Sequence, residues 1–161
     1  MKRAVYVIDA SSLIRARESY PFNHFGDLWE QLELLIKHGR LRAPEQVREE
    51  LDSGQDDLKK WARSQKPLFA PTDEALQNAL RQIGERLPAF IAPPGRTKNY
   101  ADPWVVALAL QLGAAVITEE KGKGLGPGAV KVPDACKHFG LHHSRFQGLF
   151  AAENWTFRLE R

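Results

Sequence analysis

Apolar and polar positions change period along this chain, and the changes fall at glycines and prolines. Val5-Tyr6-Val7-Ile8 is an unbroken apolar run, the pattern of a strand covered on both faces of a parallel sheet. Ser11-Ser12 follow and can cap a helix. Around Trp29, Leu32, Leu35 and Ile36 the spacing turns helical, and Gly39 closes that segment after Lys37-His38. Leu41-Arg42-Ala43 predicts a short strand, Pro44 opens the next helix where proline is tolerated, and Gly54 ends it. A charged helix from about Asp56 to Gln65 stops before Pro67, and Thr72 with Asp73-Glu74 begins another that reaches about Leu87. Pro88, Pro93, Pro94 and Gly95 break the pattern and lead into a basic loop, Arg96-Thr97-Lys98-Asn99. From Asp102 a helix carries Trp104, Val105, Leu108 and Leu112 on one face and finishes at Gly113. Ala114 to Thr118 is the second long apolar run. A glycine-rich mobile loop from Lys121 to Gly128 precedes a short strand, Val130-Lys131-Val132, and a helix from Pro133 to Gly140. The tail from Leu141 reads as a strand fragment and a terminal amphipathic helix.

Strands that alternate with helices predict an α/β fold with a parallel sheet. At 161 residues the expectation is one domain over 1–161, burying about 70% of its unfolded surface. Charged residues at 27% and hydrophobic ones at 43% form an ordinary globular balance that argues against extended disorder. No apolar stretch approaches the roughly 18 residues of a bilayer span, and the chain passes straight into a strand without a signal-type segment. The expected location is cytoplasmic, with no membrane partner. Cys136 is the single cysteine, so no intramolecular disulfide forms, and its plain reading is a buried, inert thiol. A net charge of +3 is compatible with a nucleic-acid partner without requiring one.

The acids are the most informative feature. Asp9 ends the first apolar run, Glu119-Glu120 end the second, Glu49-Glu50 lie on the helix after Leu41-Arg42-Ala43, and Asp102 opens another helix. In a parallel α/β fold each helix starts where its strand finished, so these four points can meet at the sheet edge where such folds place ligands. Carboxylates gathered there repel, by roughly 4 kcal/mol for a pair about 4 Å apart at an effective dielectric of about 20, and a cation among them relieves the repulsion. Oxygen-only ligands suit hard divalent cations such as Mg²⁺ or Mn²⁺. At about 100° per residue Val47 and Leu51 define a buried stripe, with Glu50 about 60° from Val47 and Glu49 about 160° away. Glu50 is therefore the better ligand and Glu49 the alternate. Singly, each acid has a plainer use: Asp9 and Asp102 suit helix N-termini and Glu50 a solvated helix face. The weight lies in their convergence.

Asp9-Ala10-Ser11-Ser12-Leu13-Ile14, Pro44 through Val47-Arg48-Glu49-Glu50-Leu51, Ala101-Asp102-Pro103-Trp104-Val105-Val106-Ala107-Leu108-Ala109 and Val116-Ile117-Thr118-Glu119-Glu120 together resemble, in order, the motifs of PIN-domain nucleases. Asp102-Pro103-Trp104 and the stretch Lys131 to Gly140 are similar to a bacterial PIN-like subgroup of uncharacterised function, close to VapC-type toxins. The resemblance implies a three-layer α/β/α, Rossmann-like fold with a central parallel sheet, and hydrolysis of single-stranded RNA with Mg²⁺ or Mn²⁺ held by Asp9, Glu50, Asp102 and Glu120. It also implies a protein antitoxin and a homodimer, for which the aromatic C-terminal region offers a surface. The family usually carries aspartate or asparagine after the last strand. Here Glu120 fits that spacing and Glu119 stands as its alternate.

Ser11 and Thr118 are positioned to hold Asp9 in place. Arg15, Arg96, Lys98, Lys121 and Lys123 neighbour the acids in sequence and are candidates for binding backbone phosphates. Tyr20, Phe22 and Tyr100 lie near loops beside the acidic edge and are candidates for base stacking. His138, His142 and His143 do not match the paired ligand spacing of structural zinc, and the glycines of 122–128 form no phosphate-cradling nucleotide loop. Two rival readings remain: a PIN-like nucleic-acid or protein-binding module that does not cut, and a structure-specific DNA nuclease acting through the same acids.

Overall fold

The computed structural model describes residues 3–91 and 100–160. Strand β1 (Tyr6–Ile8) leads into α1 (Ala10–Ser19) and α2 (Gly26–Lys37). Strand β2 (Leu41–Pro44) leads into α3 (Glu45–Asp52) and α4 (Asp56–Ser64). The short β3 (Phe69–Ala70) precedes α5 (Glu74–Arg86) and α6 (Asp102–Leu112). Then come β4 (Ala115–Ile117), α7 (Val132–Phe139), β5 (His143–Ser144) and a one-turn α8 (Gly148–Ala152).

All pairings are parallel, in the order β3-β2-β1-β4-β5. The chain moves outward from β1 to β3, crosses back through α5 and α6 to β4, and continues outward to β5. Right-handed crossovers then put helices on opposite faces in the two halves. Accordingly α1, α3 and α4 contact one another, α6 contacts α5 and α7, and the result is a three-layer α/β/α sandwich. The chain reverses its direction across the sheet between β1 and β4, where Tyr6, Val7 and Ile8 align with Ala115, Val116 and Ile117. Ligands of open α/β sheets bind at the carboxyl ends of such a pair, because the connections leave it on opposite faces and open a crevice.

Apolar runs sit where both faces are covered. Val7, Ile8, Leu41, Ala43, Val116 and Ile117 are all buried. Helix α6 is apolar nearly all round, since it packs over β1, β2 and β4 as well as against α5 and α7; Val105, Val106, Ala107, Leu108 and Ala109 are consecutively buried. The predicted one-sided stripe is corrected accordingly: Trp104 is half-buried and Leu112 is exposed.

Other local expectations also shift. Ser11 and Ser12 lie inside the first turn of α1 rather than capping it; the cap is Asp9, which accepts the Ser12 N–H at 2.9 Å. Pro44 closes β2 and serves as the N-cap of α3. No strand forms at Val130-Lys131-Val132, because Val132 already begins α7. Strand β3 has no counterpart in the sequence pattern, since a two-residue edge strand is too short to show a period. The tail contains β5, but α8 is one short turn and residues 155–160 follow it without helix. Among the described residues no helix is long and apolar enough to cross a membrane.

The segment after α8 is tied to the opposite end of the sheet. Glu153 accepts from both terminal nitrogens of Arg40, at 2.8 and 2.6 Å, and from the Tyr6 hydroxyl at 2.6 Å. Burial alone would raise the Glu153 carboxyl, but the hydrogen bonds and the Arg40 charge outweigh it and hold the group below the usual carboxylate range. The same surroundings push the Tyr6 phenol up to about 12, through burial first and then Glu153.

Candidate functional site

Four acids from four parts of the chain meet at the β1/β4 crevice. Asp9 follows β1 directly, is 3% exposed, and sits with its own N–H on the Ile117 carbonyl at 3.1 Å. Its Oδ1 accepts from the Ser11 hydroxyl at 2.7 Å and the Ser12 N–H at 2.9 Å. Asp9 thus fills the cap and also faces the crevice, so the two readings of this residue are compatible. Burial is the largest influence on its carboxyl and raises it; hydrogen bonds from Thr118, Ser12 and Ser11 oppose that, and the Glu120 charge adds to it.

Glu50 reaches the site from α3, half-buried, with Oε1 accepting the Ala101 N–H at 3.0 Å. That bond ties α3 to the start of α6. Its carboxyl is raised by burial, partly offset by the Ala101 N–H, and raised further by the charges of Asp9 and Glu120. Asp102, at the first turn of α6 and 8% exposed, is the most perturbed of the four. Burial first, then the charges of Glu120, Asp9 and Glu50, then a hydrogen bond shared with Glu120, push it up to about 9. When two carboxyls share a hydrogen bond, one of the two must carry a proton to donate. Glu120 closes the group, its Oε2 accepting the Val132 N–H at 2.9 Å at the start of α7 and its own N–H donating to Thr118 Oγ1 at 3.1 Å.

The alternates turn away. Glu49 is exposed. Glu119 points to the opposite side of the extended segment from Glu120, as successive residues do, and its carboxylate accepts the Arg145 Nε at 2.8 Å and the Phe146 N–H at 3.0 Å. Ser11 joins the two sides of the crevice: it donates to Asp9 and accepts the Glu119 N–H at 3.1 Å. Thr118, 1% exposed, lies between Asp9 and Glu120. Cys136 is fully buried near Asp9, and burial first, then the Asp9 charge, push its thiol up to about 12. A thiol held that high stays protonated at neutral pH.

The predicted cations and aromatics divide. Arg15 is exposed on α1 and lines a 170 Å³ cleft with Glu119 and Arg145. Lys121 is exposed beside Glu120. Lys123 is exposed, and its ammonium donates to the Pro127 carbonyl at 2.9 Å within its own loop. Arg96 and Lys98 lie outside the described residues. Tyr20 and Phe22 are half-buried; Tyr20 packs against Phe25, Phe146 and Phe150, and Phe22 lies 4.2 Å from Trp29 between ring centroids. Tyr100 is 44% exposed, next to the residue whose N–H holds Glu50.

Two residues at this edge escaped the sequence reading. Asp134 is buried, and its carboxylate accepts the N–H of Lys123 at 2.9 Å and of Gly124 at 2.8 Å, which anchors the start of a loop expected to be mobile. A Cβ at Gly122 would meet Asp134 Oδ1 at 3.0 Å, so any other residue there presses on this anchor. The signal was the acid in the first turn of a helix, where carboxylates bind backbone N–H groups. Arg145 carried no signal, because its partner Glu119 is distant in sequence.

Carboxylate oxygens are the kind of ligand that hard divalent cations take. Glu50 and Glu120 each commit one oxygen to a backbone N–H and retain the other. Among the described residues no group of three or more His, Cys, Asp or Glu side chains is placed to hold a metal ion as the side chains stand.

The family described as a domain of unknown function (DUF4411) matches residues 6–157. No curated protein matches the chain. The chain is similar to the crystal structure of PAE2754 from Pyrobaculum aerophilum, at 17% identity over 94% of this chain and 91% of that one, with a TM-score of 0.45.

Proposed function

The chain belongs to the DUF4411 family, a domain of unknown function, and we propose that its acidic crevice is the active site of a metal-dependent endoribonuclease of PIN-like type. The observation that supports this reading is the gathering of Asp9, Glu50, Asp102 and Glu120 at one crevice, close enough that burial and the other three charges push Asp102 up to about 9. An arrangement that works against its own charge is unfavourable for folding and suits a group whose work is to bind a cation. Mg²⁺ or Mn²⁺ held by these four residues would stabilise charge on a phosphoryl oxygen and make a water more acidic.

The chain's own groups then have separable tasks. Ser11, the Ser12 N–H and Thr118 orient Asp9. The N–H groups of Ala101 and Val132 hold Glu50 and Glu120 by one oxygen each. Asp102 would have to give up its proton to hold a cation, so binding would be coupled to proton release. The toxin role, a protein antitoxin and a homodimer follow from the resemblance to PIN nucleases and belong to the same proposal.

The test is cleavage of single-stranded RNA by the wild-type protein, Asp9→Asn and Asp102→Asn, each with Mn²⁺ and with EDTA. The expected result is activity only in the wild type with Mn²⁺, with losses of about 10²-fold or more in both variants. Equal activity in every arm removes the proposal. A second reading, a nucleic-acid-binding module that does not cut, is favoured because no three acids among the described residues are placed to hold a metal ion as they stand; absence of millimolar Mn²⁺ binding by calorimetry selects it. Preference for DNA flaps over RNA in competition selects a DNA nuclease.

A further inference from the structure

Adjacent acids after β4 diverge: Glu120 turns into the acidic crevice, and Glu119 turns into the cleft lined by Arg15, Ser19, Tyr20, Arg145 and Gln147. We infer that this cleft binds a backbone phosphate of the single-stranded substrate, beside the linkage that lies at the acids, with Arg145 and Arg15 as its cationic walls. The inference rests on the nuclease reading for its substrate and on separate residues for its geometry.

Arg145 is the central observation. Its side chain is 61% exposed, yet its Nε is tethered at 2.8 Å to Glu119, whose own side chain is only 10% exposed. The second Glu119 oxygen is fixed by the Phe146 N–H, so the carboxylate is a rigid anchor. Among the described residues the contact takes Nε alone and leaves the two terminal amino groups of Arg145 without hydrogen bonds. A guanidinium oriented in advance loses less freedom when its fork closes on a phosphate. Arg15 is exposed on the facing helix and makes no salt bridge with any described residue. Two arginines against one glutamate leave the cleft net positive. The Tyr20 hydroxyl accepts from Gln147 Nε2 at 2.8 Å and keeps its own proton to donate.

Position and size agree with that use. The Ser11 hydroxyl touches both Asp9 and the Glu119 N–H, so the cleft begins where the acidic crevice ends. Its 170 Å³ is enough for a phosphate group with some of its hydration. A polyanion crossing four carboxylates is repelled at the reacting linkage and needs cations on its path to either side.

The experiment measures binding of a fluorescein-labelled 12-mer oligouridylate by anisotropy across a range of NaCl, in an Asp102→Asn background that on the reading above does not cut. Adding Arg145→Ala or Arg15→Ala is expected to weaken binding about five- to tenfold and to lower the slope of log affinity against log salt by about 0.7, the share of one phosphate contact on a single strand. Arg81→Ala, which removes a charge from α5 on the opposite face, leaves both unchanged. Affinity and slope untouched by Arg145→Ala and Arg15→Ala overturn the inference, as does a failure of the background protein to bind the 12-mer. Inorganic phosphate that binds in an Arg145-dependent way without Arg145-dependent binding of the strand also overturns it, as an anion site only. Metal-dependent cleavage by the wild type with arginine-independent binding sinks the cleft and keeps the nuclease. Arginine-dependent binding without cleavage does the reverse.

Discussion

At the scale of single residues, Asp102 converts the site's electrostatics into a measurable stability. Its folded carboxyl keeps a proton up to about 9, whereas the ordinary value is 3.8. Above the ordinary value the unfolded chain has lost that proton and the folded chain still holds it. The stabilising contribution is thus complete below about pH 4 and is lost as pH rises toward 9. Without metal, the Tm of the wild-type protein is expected to fall through this window, at about 2–4 °C per kcal/mol for a chain of this size, and Asp102→Asn is expected to flatten the profile. Mn²⁺ should restore wild-type Tm most strongly at the alkaline end, since binding at 100 times Kd adds about 2.7 kcal/mol. Thermal melts from pH 5 to 9 with and without Mn²⁺ check this, and a variant profile parallel to the wild type removes the account of Asp102. Which glutamate of each pair enters the site is also a matter of residues. Helix angle separates Glu50 from Glu49, but Glu119 and Glu120 stand outside any regular element, and only the Arg145 and Val132 partners separate them.

At the scale of elements, one carboxylate controls the loop between β4 and α7. Asp134 accepts two backbone N–H groups of that loop, with the Lys123 N–H the largest cause holding its carboxyl below the usual range. Asp134→Ala is expected to accelerate amide exchange at Lys123 and Gly124 by about tenfold or more, at roughly 1–1.5 kcal/mol per hydrogen bond lost, while core amides such as Val116 keep their protection. Unchanged exchange at both loop amides would show that the anchor contributes nothing. The glycines at 122, 124, 126 and 128 predict a mobile segment when read alone. The correction arises because a tertiary partner supplies what local sequence lacks. The same holds for β3 and β5, two-residue edge strands that exist through pairing with β2 and β4 and carry too few residues to show alternation.

At the scale of the whole molecule, the bridge from Glu153 to Arg40 and Tyr6 fastens the segment after α8 to the amino end of the sheet. The pair is 14% and 11% exposed, so removing one partner strands the other. Glu153→Gln is expected to cost about 2–4 kcal/mol and Tyr6→Phe about 1 kcal/mol in urea unfolding; a Glu153→Gln midpoint equal to wild type would mean the segment docks by its aromatic contacts alone. Local pattern was sufficient for the main elements. Continuous apolar runs set β1 and β4, helical spacing set α2, α5 and α6, and Gly113 ended its helix in the left-handed conformation, φ 63°, because these depend on neighbours within a few positions. Sequence order also placed Asp9 and Glu120 at strand ends, and the angle on α3 separated Glu50 from Glu49. Tertiary structure alone decided that the four acids share a crevice, that Tyr20 and Phe22 pack into aromatic clusters, and that Glu119 serves Arg145. Those outcomes turn on contacts between residues far apart in the chain, and short-range periodicity carries no information about them.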